Sequence, residues 1–142
     1  MNLGPAGMVT VVGVAIIVDG DGHRRVLAAR RTAPPSAAGG WELPGGKCEP
    51  GEELADAAVR EVGEELGCVV RVTGRLAGCE PIGPGLTLEV VTAELVSGEP
   101  TPSEHDAIRW LGADQLHEVR WLPADVPFLA ELARVLRDPA AT

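Results

Sequence analysis

The sequence predicts an α/β fold in which a mixed β-sheet is flanked by helices. Apolar, β-branched runs alternate with turn signals along most of the chain, which is typical of strands. Two other segments have apolar residues at helical spacing, and strands lie before and between them. With 142 residues, the chain is long enough for one layered domain over 1–142.

Five segments are predicted to be strands because β-branched and apolar residues dominate them. Their expected bounds are 9–18, 25–31, 69–79, 86–95 and 107–111. The segment 41–46 is short and extended, and it ends in two glycines. Turns or loops are expected where Gly, Pro and polar residues cluster, at 19–22, 32–40 and 80–85. Residues 1–7 are expected to form a loose tail.

The strongest predicted helix runs from Glu53 to Leu66, where apolar residues recur every three or four positions. Gly67 is its expected stop, because glycine readily adopts the left-handed conformation that closes a helix. A single turn is expected at 113–116, and a second amphipathic helix over 126–136.

The chain is acidic, with a formal net charge of −9 and a pI of about 4.7. Such a charge argues against binding to nucleic acid or to an anionic membrane surface. An acidic protein can hold a polyphosphate only if cations lie between the two. A polyphosphate ligand would therefore require a metal ion.

The cysteines Cys48, Cys68 and Cys79 are odd in number and have no CxxC spacing, which argues against a disulfide framework or a zinc site. Reduced thiols fit a cytoplasmic protein. The longest apolar run, 8–18, is too short to span a bilayer. No partner other than a small molecule or a second copy of the chain is expected, so we expect a monomer or a homodimer.

Glu61, Glu64 and Glu65 share one face of the first predicted helix because they are spaced by three and four residues. Like charges at these spacings cost a few tenths of a kcal/mol each, and the helix dipole disfavours anions in a last turn. A solvated acidic face is one explanation. The other is a hard divalent cation, since Mg²⁺ prefers carboxylate oxygens.

The segment before this helix is rich in glycine, and paired glycines let the backbone approach a metal ion or a phosphate. Gly46, five residues, Glu52, seven residues and then REVGEELG at 60–67 resemble the box of the Nudix hydrolase family. One departure is Cys68, where the family has an aliphatic residue. A buried cysteine is itself small and apolar, so the departure concerns packing rather than chemistry.

Three further segments are similar to the MutT-type and CTP pyrophosphohydrolase branch of that family. They are WELPGGK at 41–47, GEP at 98–100 followed by Glu104, and WLPAD at 121–125. The resemblance implies the Nudix α/β/α sandwich, with a mixed sheet between helices and the box as a loop–helix–loop.

The resemblance also implies a magnesium site, in which Mn²⁺ is an expected substitute. Glu61 and Glu65 would be the main ligands, Glu64 would share in a further ion, and Gly45 would offer its carbonyl oxygen. Glu104 is a candidate general base or metal ligand, although an exposed loop glutamate is the alternative. All these glutamates would be catalytic.

Other positions of the motif are expected to be structural. Arg60 would pair with Glu52 and so tie the loop to the helix, on which catalysis would also depend. Gly46 and Gly67 would be required for their backbone conformation or close packing. His105, which follows Glu104 in the chain, is interpreted as a surface residue.

Six residues are candidates for substrate binding: Arg31, Leu43, Gly46, Lys47, Trp121 and Asp125. Arg31, and more weakly Lys47, would contact phosphate or sugar, unless they are strand-end surface charges. Trp121 would stack on a base, unless it belongs to the core. Asp125 stands where MutT-type enzymes read the base. An ionised carboxylate only accepts hydrogen bonds, which suits the cytosine amino group better than the O6 of guanine.

The expected reaction converts a nucleoside triphosphate and water into a nucleoside monophosphate and pyrophosphate, as a step of nucleotide-pool sanitation. CTP, dCTP and 5-methyl-dCTP are the favoured substrates, and 8-oxo-dGTP follows. Hydrolysis of ADP-ribose or a similar diphosphate is an alternative. Pro84 lies sixteen residues past the end of the box, a position that resembles a weak marker of ADP-ribose hydrolases. A non-catalytic nucleotide-binding module is another alternative, although such modules usually lose a box glutamate.

Overall fold

The computed structural model describes residues 8–138, so the expected tail at 1–7 lies outside the described residues. Over that range, eight strands form one sheet and two α-helices pack against it. The strands are β1 (Val9–Gly20), β2 (His23–Arg31), β3 (Trp41–Glu42), β4 (Gly45–Lys47), β5 (Val69–Arg75), β6 (Glu80–Gly83), β7 (Leu86–Ser97) and β8 (His105–Leu111). The α-helices are α1 (Leu54–Leu66) and α2 (Leu129–Arg137), with 3₁₀ helices at Ala113–Glu118 and Val126–Phe128.

The sheet is mixed, as predicted, with the order β3-β2-β1-β7-β5. Strand β1 runs parallel to β7, whereas the other pairs are antiparallel. On its other edge β1 pairs first with β4, through Val11–Gly13, and later with β2, through Ile17–Gly20. The ends of β2, β3 and β4 therefore meet near the middle of β1, where the candidate site lies.

Successive side chains of β1 point to opposite faces of the sheet and enter two separate hydrophobic cores. Val12, Val14 and Ile16 are fully buried in a cluster with apolar residues of α1. Ala15 and Ile17 point the other way, into a cluster with apolar residues of α2. Because successive strand residues face opposite sides, one apolar run supplies both cores, and this confirms the expected α/β/α arrangement.

Helix α1 matches its prediction within one residue at the start and ends at Leu66. Gly67 has a φ of 68° and donates its N–H to the Gly63 carbonyl, which closes the helix. The second predicted helix is shorter, because Pro127 lies in a 3₁₀ helix and α2 begins only at Leu129. The predicted single turn at 113–116 is a 3₁₀ helix over Ala113–Glu118.

The sheet differs from its prediction in three segments. The presumed loop at 80–85 contains strand β6, which pairs with β7; Pro81 is tolerated because β6 is a short strand at the edge of the sheet. The predicted strand 69–79 ends at Arg75, and the segment 41–46 is divided between β3 and β4. No helix among residues 8–138 has the length and apolar character needed to cross a bilayer.

Candidate active site

The loop before α1 is fastened to the helix by one arginine. Arg60 donates Nε and Nη2 to the two carboxylate oxygens of Glu52, at 2.8 and 2.9 Å. Nη2 also donates to the Lys47 carbonyl at 3.0 Å, and Nη1 donates to Glu61 at 2.8 Å and to Glu64 at 3.4 Å. The bidentate contact is the pairing that the resemblance implied, and it lowers the pKa of Glu52 to about 2.

Two glycines precede this loop, and a side chain at either would meet a neighbour: the Glu61 carboxylate at Gly46 and the Val12 backbone at Gly45. A Cβ on Gly46 would lie 2.5 Å from the carboxyl carbon of Glu61. Gly45 has a φ of 153°, and a Cβ there would lie 1.9 Å from the Val12 carbonyl oxygen. The two glycines let strand β4 approach both β1 and the glutamates of α1 closely.

The three glutamates of α1 have different surroundings. Glu64 is largely exposed, whereas the Glu61 side chain is only 15% exposed and is held by Arg60. Glu65 turns inward and accepts a hydrogen bond from the Gly45 N–H at 3.4 Å. Among the described residues, no three acidic, histidine or cysteine side chains already converge as a metal site.

Glu65 is the most unusual of these acids, since only 5% of it is exposed. Burial raises the pKa of its carboxyl to about 7, with opposing contributions from His105 and the Gly45 N–H, and further increases from Glu61 and Glu42. A bound cation would stabilise the ionised form of a carboxyl that is buried among other carboxylates.

A second cluster of polar side chains lies beside Glu65, at the ends of strands β2, β3 and β8. It consists of Arg31, Glu42 and His105. The Glu42 carboxylate accepts a 2.9 Å hydrogen bond from His105 Nε2 and a 3.4 Å bond from Arg31 Nη1. Arg31 also donates Nε to the Ala33 carbonyl at 2.9 Å. The hydrogen bond to Glu42 raises the pKa of His105.

The interpretation of His105 as a surface residue was wrong, since it is buried. Its partner Glu42 lies 63 positions away in the chain, so no local pattern could reveal the pair. Glu42 itself lies in the WELPGGK segment at 41–47, where no local pattern separates it from its neighbours.

The loop that carries Glu104 is anchored to the end of α1. Ser103 donates its hydroxyl to the Glu65 carbonyl at 2.8 Å, and the Thr101 N–H donates to the Leu66 carbonyl at 2.9 Å. These bonds satisfy carbonyls that a helix end leaves free. Glu104 is exposed, and its own carbonyl accepts from the Thr32 hydroxyl at 3.3 Å.

Two cavities meet at these groups. The acidic cavity, of about 480 Å³, is lined by Arg31, Thr32, Ala33, Glu42, Gly45, Glu65, Ser103, Glu104 and His105. The apolar cavity, of about 340 Å³, is lined by Val11, Val12, Gly13, Arg31, Glu42, Leu43, Gly45, Gly46, Lys47, Ile82, Leu88, Leu122, Ala124 and Asp125. Arg31, Glu42 and Gly45 line both and mark the junction.

Asp125 is a buried acid in the apolar cavity. Only 5% of it is exposed, and its Oδ2 accepts a 3.2 Å hydrogen bond from the Leu43 N–H. Burial, aided by the nearby charge of Glu42, raises the pKa of its carboxyl to about 7. The candidate substrate residues Leu43, Gly46 and Lys47 line the same cavity.

Trp121 is a core residue, the alternative that the sequence left open. It is 8% exposed, packs in the cluster next to α2 and donates its Nε1–H to the Leu116 carbonyl at 2.7 Å. Its neighbour Leu122 lines the apolar cavity instead. We therefore withdraw the stacking role expected for Trp121.

The NUDIX domain family model matches residues 9–132 of this chain. The chain belongs to the Nudix family. A Mycobacterium tuberculosis protein with the provisional name 8-oxo-dGTP diphosphatase 2 is 43% identical over 119 residues, which are 82% of this chain and 84% of that protein. Escherichia coli CTP pyrophosphohydrolase is 36% identical over 118 residues, 82% of this chain and 86% of that protein.

The fold agrees with the crystal structure of a Nudix hydrolase from M. smegmatis, with a TM-score of 0.75 at 23% identity over 89% of this chain and 84% of that one. The solution structure of the E. coli ORF135 protein matches with a TM-score of 0.71 at 32% identity, over 93% of this chain and 95% of that one. The chain is therefore a Nudix hydrolase, an enzyme that acts on phosphoric anhydrides.

The Nudix helix α1 and its loop fit the divalent metal that enzymes of this family use. Gly46 leaves room for the Glu61 carboxylate where any Cβ would collide with it. Glu65 is a buried acid whose pKa is raised by burial, with Glu61 and Glu42 adding to that rise. Hard oxygen donors of this kind suit Mg²⁺.

Proposed function

We propose that this Nudix hydrolase is a Mg²⁺-dependent pyrophosphohydrolase that converts a nucleoside triphosphate and water into a nucleoside monophosphate and pyrophosphate. The junction of the two cavities supports this proposal most strongly. Carboxylates line one cavity, Asp125 lies in the other, and Arg31 lines both. A nucleotide has matching parts: at one end a base with flat apolar faces and a hydrogen-bonding edge, and at the other a charged phosphate chain.

Glu61 and Glu65 would be the main magnesium ligands, with the Gly45 carbonyl oxygen as a further donor. Glu64 and Glu104 would share in additional ions. Bound Mg²⁺ supplies charge neutralisation for the phosphates and an acidified water at neutral pH. This also answers the question raised by the net charge of −9, since cations would separate the protein from its polyanionic substrate.

The side chains of the chain itself have three tasks in this proposal. Arg31, at the junction, binds a phosphate oxygen, and Lys47 binds the substrate from the rim of the apolar cavity. Glu104, on the loop that Ser103 fastens to the end of α1, is proposed either to share in a metal ion or to accept a proton from the attacking water. Arg60 does not touch substrate; it keeps the loop and Glu61 in place.

Asp125 is the proposed base-reading residue. Its ionised form accepts a hydrogen bond from the amino group of cytosine, so CTP, dCTP and 5-methyl-dCTP are the favoured substrates. Its protonated form can donate to O6 of an oxidised guanine, and a pKa of about 7 makes that form available near neutral pH. This observation favours 8-oxo-dGTP as the second candidate.

The preference between these substrates is expected to depend on pH through Asp125. Raising the pH from about 6 to about 8 raises the ionised fraction of the carboxyl about ten-fold and lowers the protonated fraction about ten-fold. The ratio of kcat/KM for dCTP to kcat/KM for 8-oxo-dGTP should therefore rise by up to about 100-fold. In Asp125→Asn the ratio should be flat with pH, and dCTP should lose about ten-fold or more. A wild-type ratio that does not change with pH, or that changes equally in Asp125→Asn, would show that another group reads the base.

The same substitution is expected to change stability. The folded-state pKa of Asp125, about 7, lies above the ordinary value of 3.8, so the folded state loses stability as pH rises between these values. Asp125→Asn avoids this loss and keeps an oxygen for the Leu43 N–H. Its unfolding free energy should exceed that of the wild type by up to roughly 4 kcal/mol at pH 8 and match it near pH 4. Urea denaturation of both proteins at the two pH values measures the difference, and a constant difference would contradict it.

The proposed substrate class is tested with a panel of natural and oxidised (d)NTPs and ADP-ribose in the presence of Mg²⁺. Pyrophosphate and phosphate release are followed separately, with EDTA as the metal-free control. We expect dCTP or CTP to lead and 8-oxo-dGTP to follow. A lead by ADP-ribose would replace the proposal with a diphosphate hydrolase. Binding without turnover of any compound would indicate a nucleotide-binding module.

A reducing compartment fits this activity. Cys48, Cys68 and Cys79 are all free thiols, and Cys79 is exposed. Exposed thiols persist in the cytoplasm, where nucleoside triphosphates are also found, so we propose a cytoplasmic enzyme acting on the nucleotide pool. Either a monomer or a homodimer is compatible with this proposal.

A further inference from the structure

His105, Glu42 and Arg31 form a chain of contacts at the junction of the two cavities. His105 on β8 and Arg31 on β2 are register partners, and Glu42 lies on the neighbouring β3. The pairing of β2 with β8 shifts register between Arg30 and Arg31. The extra residue is Asp106 on β8, so the strand that the irregularity bends is the one that carries His105, whose register partner Arg31 lines both cavities.

The two hydrogen bonds that the Glu42 carboxylate accepts differ in length and in the burial of the donor. The bond from His105 Nε2 is 2.9 Å long, and the His105 side chain is 5% exposed. The bond from Arg31 is 3.4 Å long, and the Arg31 side chain is 39% exposed. An exposed ion pair is weak by itself, whereas a short, buried hydrogen bond fixes the position of its acceptor. Glu42 is therefore held by His105 rather than by Arg31.

We infer that His105 is a positioning residue: it fixes the Glu42 carboxylate, and this carboxylate at Nη1 together with the Ala33 carbonyl at Nε orients the Arg31 guanidinium towards the phosphates of the substrate. The inference rests on the proposed function, because it gives Arg31 a phosphate to bind. Within residues 8–138, Nε2 is the ring nitrogen of His105 that has a hydrogen-bond partner, since Nδ1 is buried without one. The orientation of the ring thus depends on the same carboxylate that it holds.

A double-mutant cycle separates this role from a purely structural one. His105→Leu removes the donor at similar volume, and His105→Gln keeps an N–H that reaches Glu42. His105→Asn has a shorter side chain that does not reach and replaces the leucine variant if that one does not fold. Each is made alone and with Arg31→Ala, and His117→Gln, at an exposed histidine, is the matched control.

We expect His105→Leu to raise KM for dCTP about ten-fold with a smaller change in kcat, and His105→Gln to restore most of the loss. In the Arg31→Ala background, His105→Leu should change kcat/KM by less than about two-fold, because the residue through which it acts is already absent. Affinity for the non-hydrolysable α,β-imido-dCTP with Mg²⁺, measured by calorimetry, should follow the same pattern.

Two outcomes would overturn the inference while leaving the proposed function intact. One is that the single effects multiply in the double variant, which would make His105 independent of Arg31. The other is that His105→Gln is as impaired as His105→Leu, which would make the Glu42 contact irrelevant. A wild-type enzyme that hydrolyses no nucleoside triphosphate would instead overturn the proposed function and this inference together.

Discussion

Replacing Glu65 or Glu61 with glutamine will lower kcat by about two to three orders of magnitude while the fold is retained. Glutamine keeps the shape but removes the negative charge that a magnesium ligand requires. Stability of Glu65→Gln should match that of the wild type near pH 4.5 and exceed it increasingly as the pH rises towards about 7. Burial raises the pKa of this carboxyl to about 7, so its ionised form costs folding free energy that a neutral amide does not.

The measurements are steady-state turnover over a range of Mg²⁺ concentrations and thermal unfolding of each variant. Asp56→Asn is the matched control, because Asp56 is an exposed acid on the same helix α1. It should keep near wild-type turnover. Near-normal turnover of both Glu61→Gln and Glu65→Gln at saturating Mg²⁺ would remove these residues from the metal site.

Arg60→Ala is expected to lower stability and activity together. The substitution removes the bidentate contact with Glu52 and the bonds to Glu61 and to the Lys47 carbonyl, so it leaves two half-buried carboxylates without their cation. We expect Tm to fall by about 5 °C or more and kcat/KM to fall by at least about ten-fold. Differential scanning calorimetry and dCTP hydrolysis measure the two effects.

Arg60→Lys separates the contribution of the planar guanidinium fork to stability from that of the positive charge alone. Lysine keeps the positive charge but lacks the planar fork that spans both oxygens of Glu52, so it should recover only part of the lost stability. Arg137→Ala, which breaks an exposed pair with Asp114, is the control and should change Tm little. Loss of activity in Arg60→Ala at an unchanged Tm would instead indicate that Arg60 contacts the substrate.

Much of the fold was predictable because its strongest signals are local. Helix α1 has apolar residues at helical spacing and a glycine stop, and β1 is a long β-branched run. Strand β6 escaped prediction because Pro81 and Gly83 are typical of loops, and only pairing with β7 makes the segment a strand. The division of residues 41–46 between two strands likewise depends on β1, which changes partner beside them.

Some residues of the candidate site were likewise predictable from a local pattern, whereas others depend on distant contacts. The box residues Gly46, Glu52, Arg60 and Glu65 lie within a short stretch, so their spacing carries information that a sequence displays. His105 and Ser103 depend on contacts with residues far away in the chain, Glu42 and the end of α1. The environment of Asp125 was also hidden, since its raised pKa comes from burial that only the assembled cavity creates.

The proposed release of pyrophosphate from a nucleoside triphosphate is tested by hydrolysing dCTP with Mg²⁺ in ¹⁸O-labelled water and analysing both products by mass spectrometry. We expect equal amounts of dCMP and pyrophosphate, with the label in pyrophosphate because water attacks the β-phosphorus, and no reaction in EDTA. Release of dCDP and phosphate, or hydrolysis that persists without a divalent cation, would contradict the account.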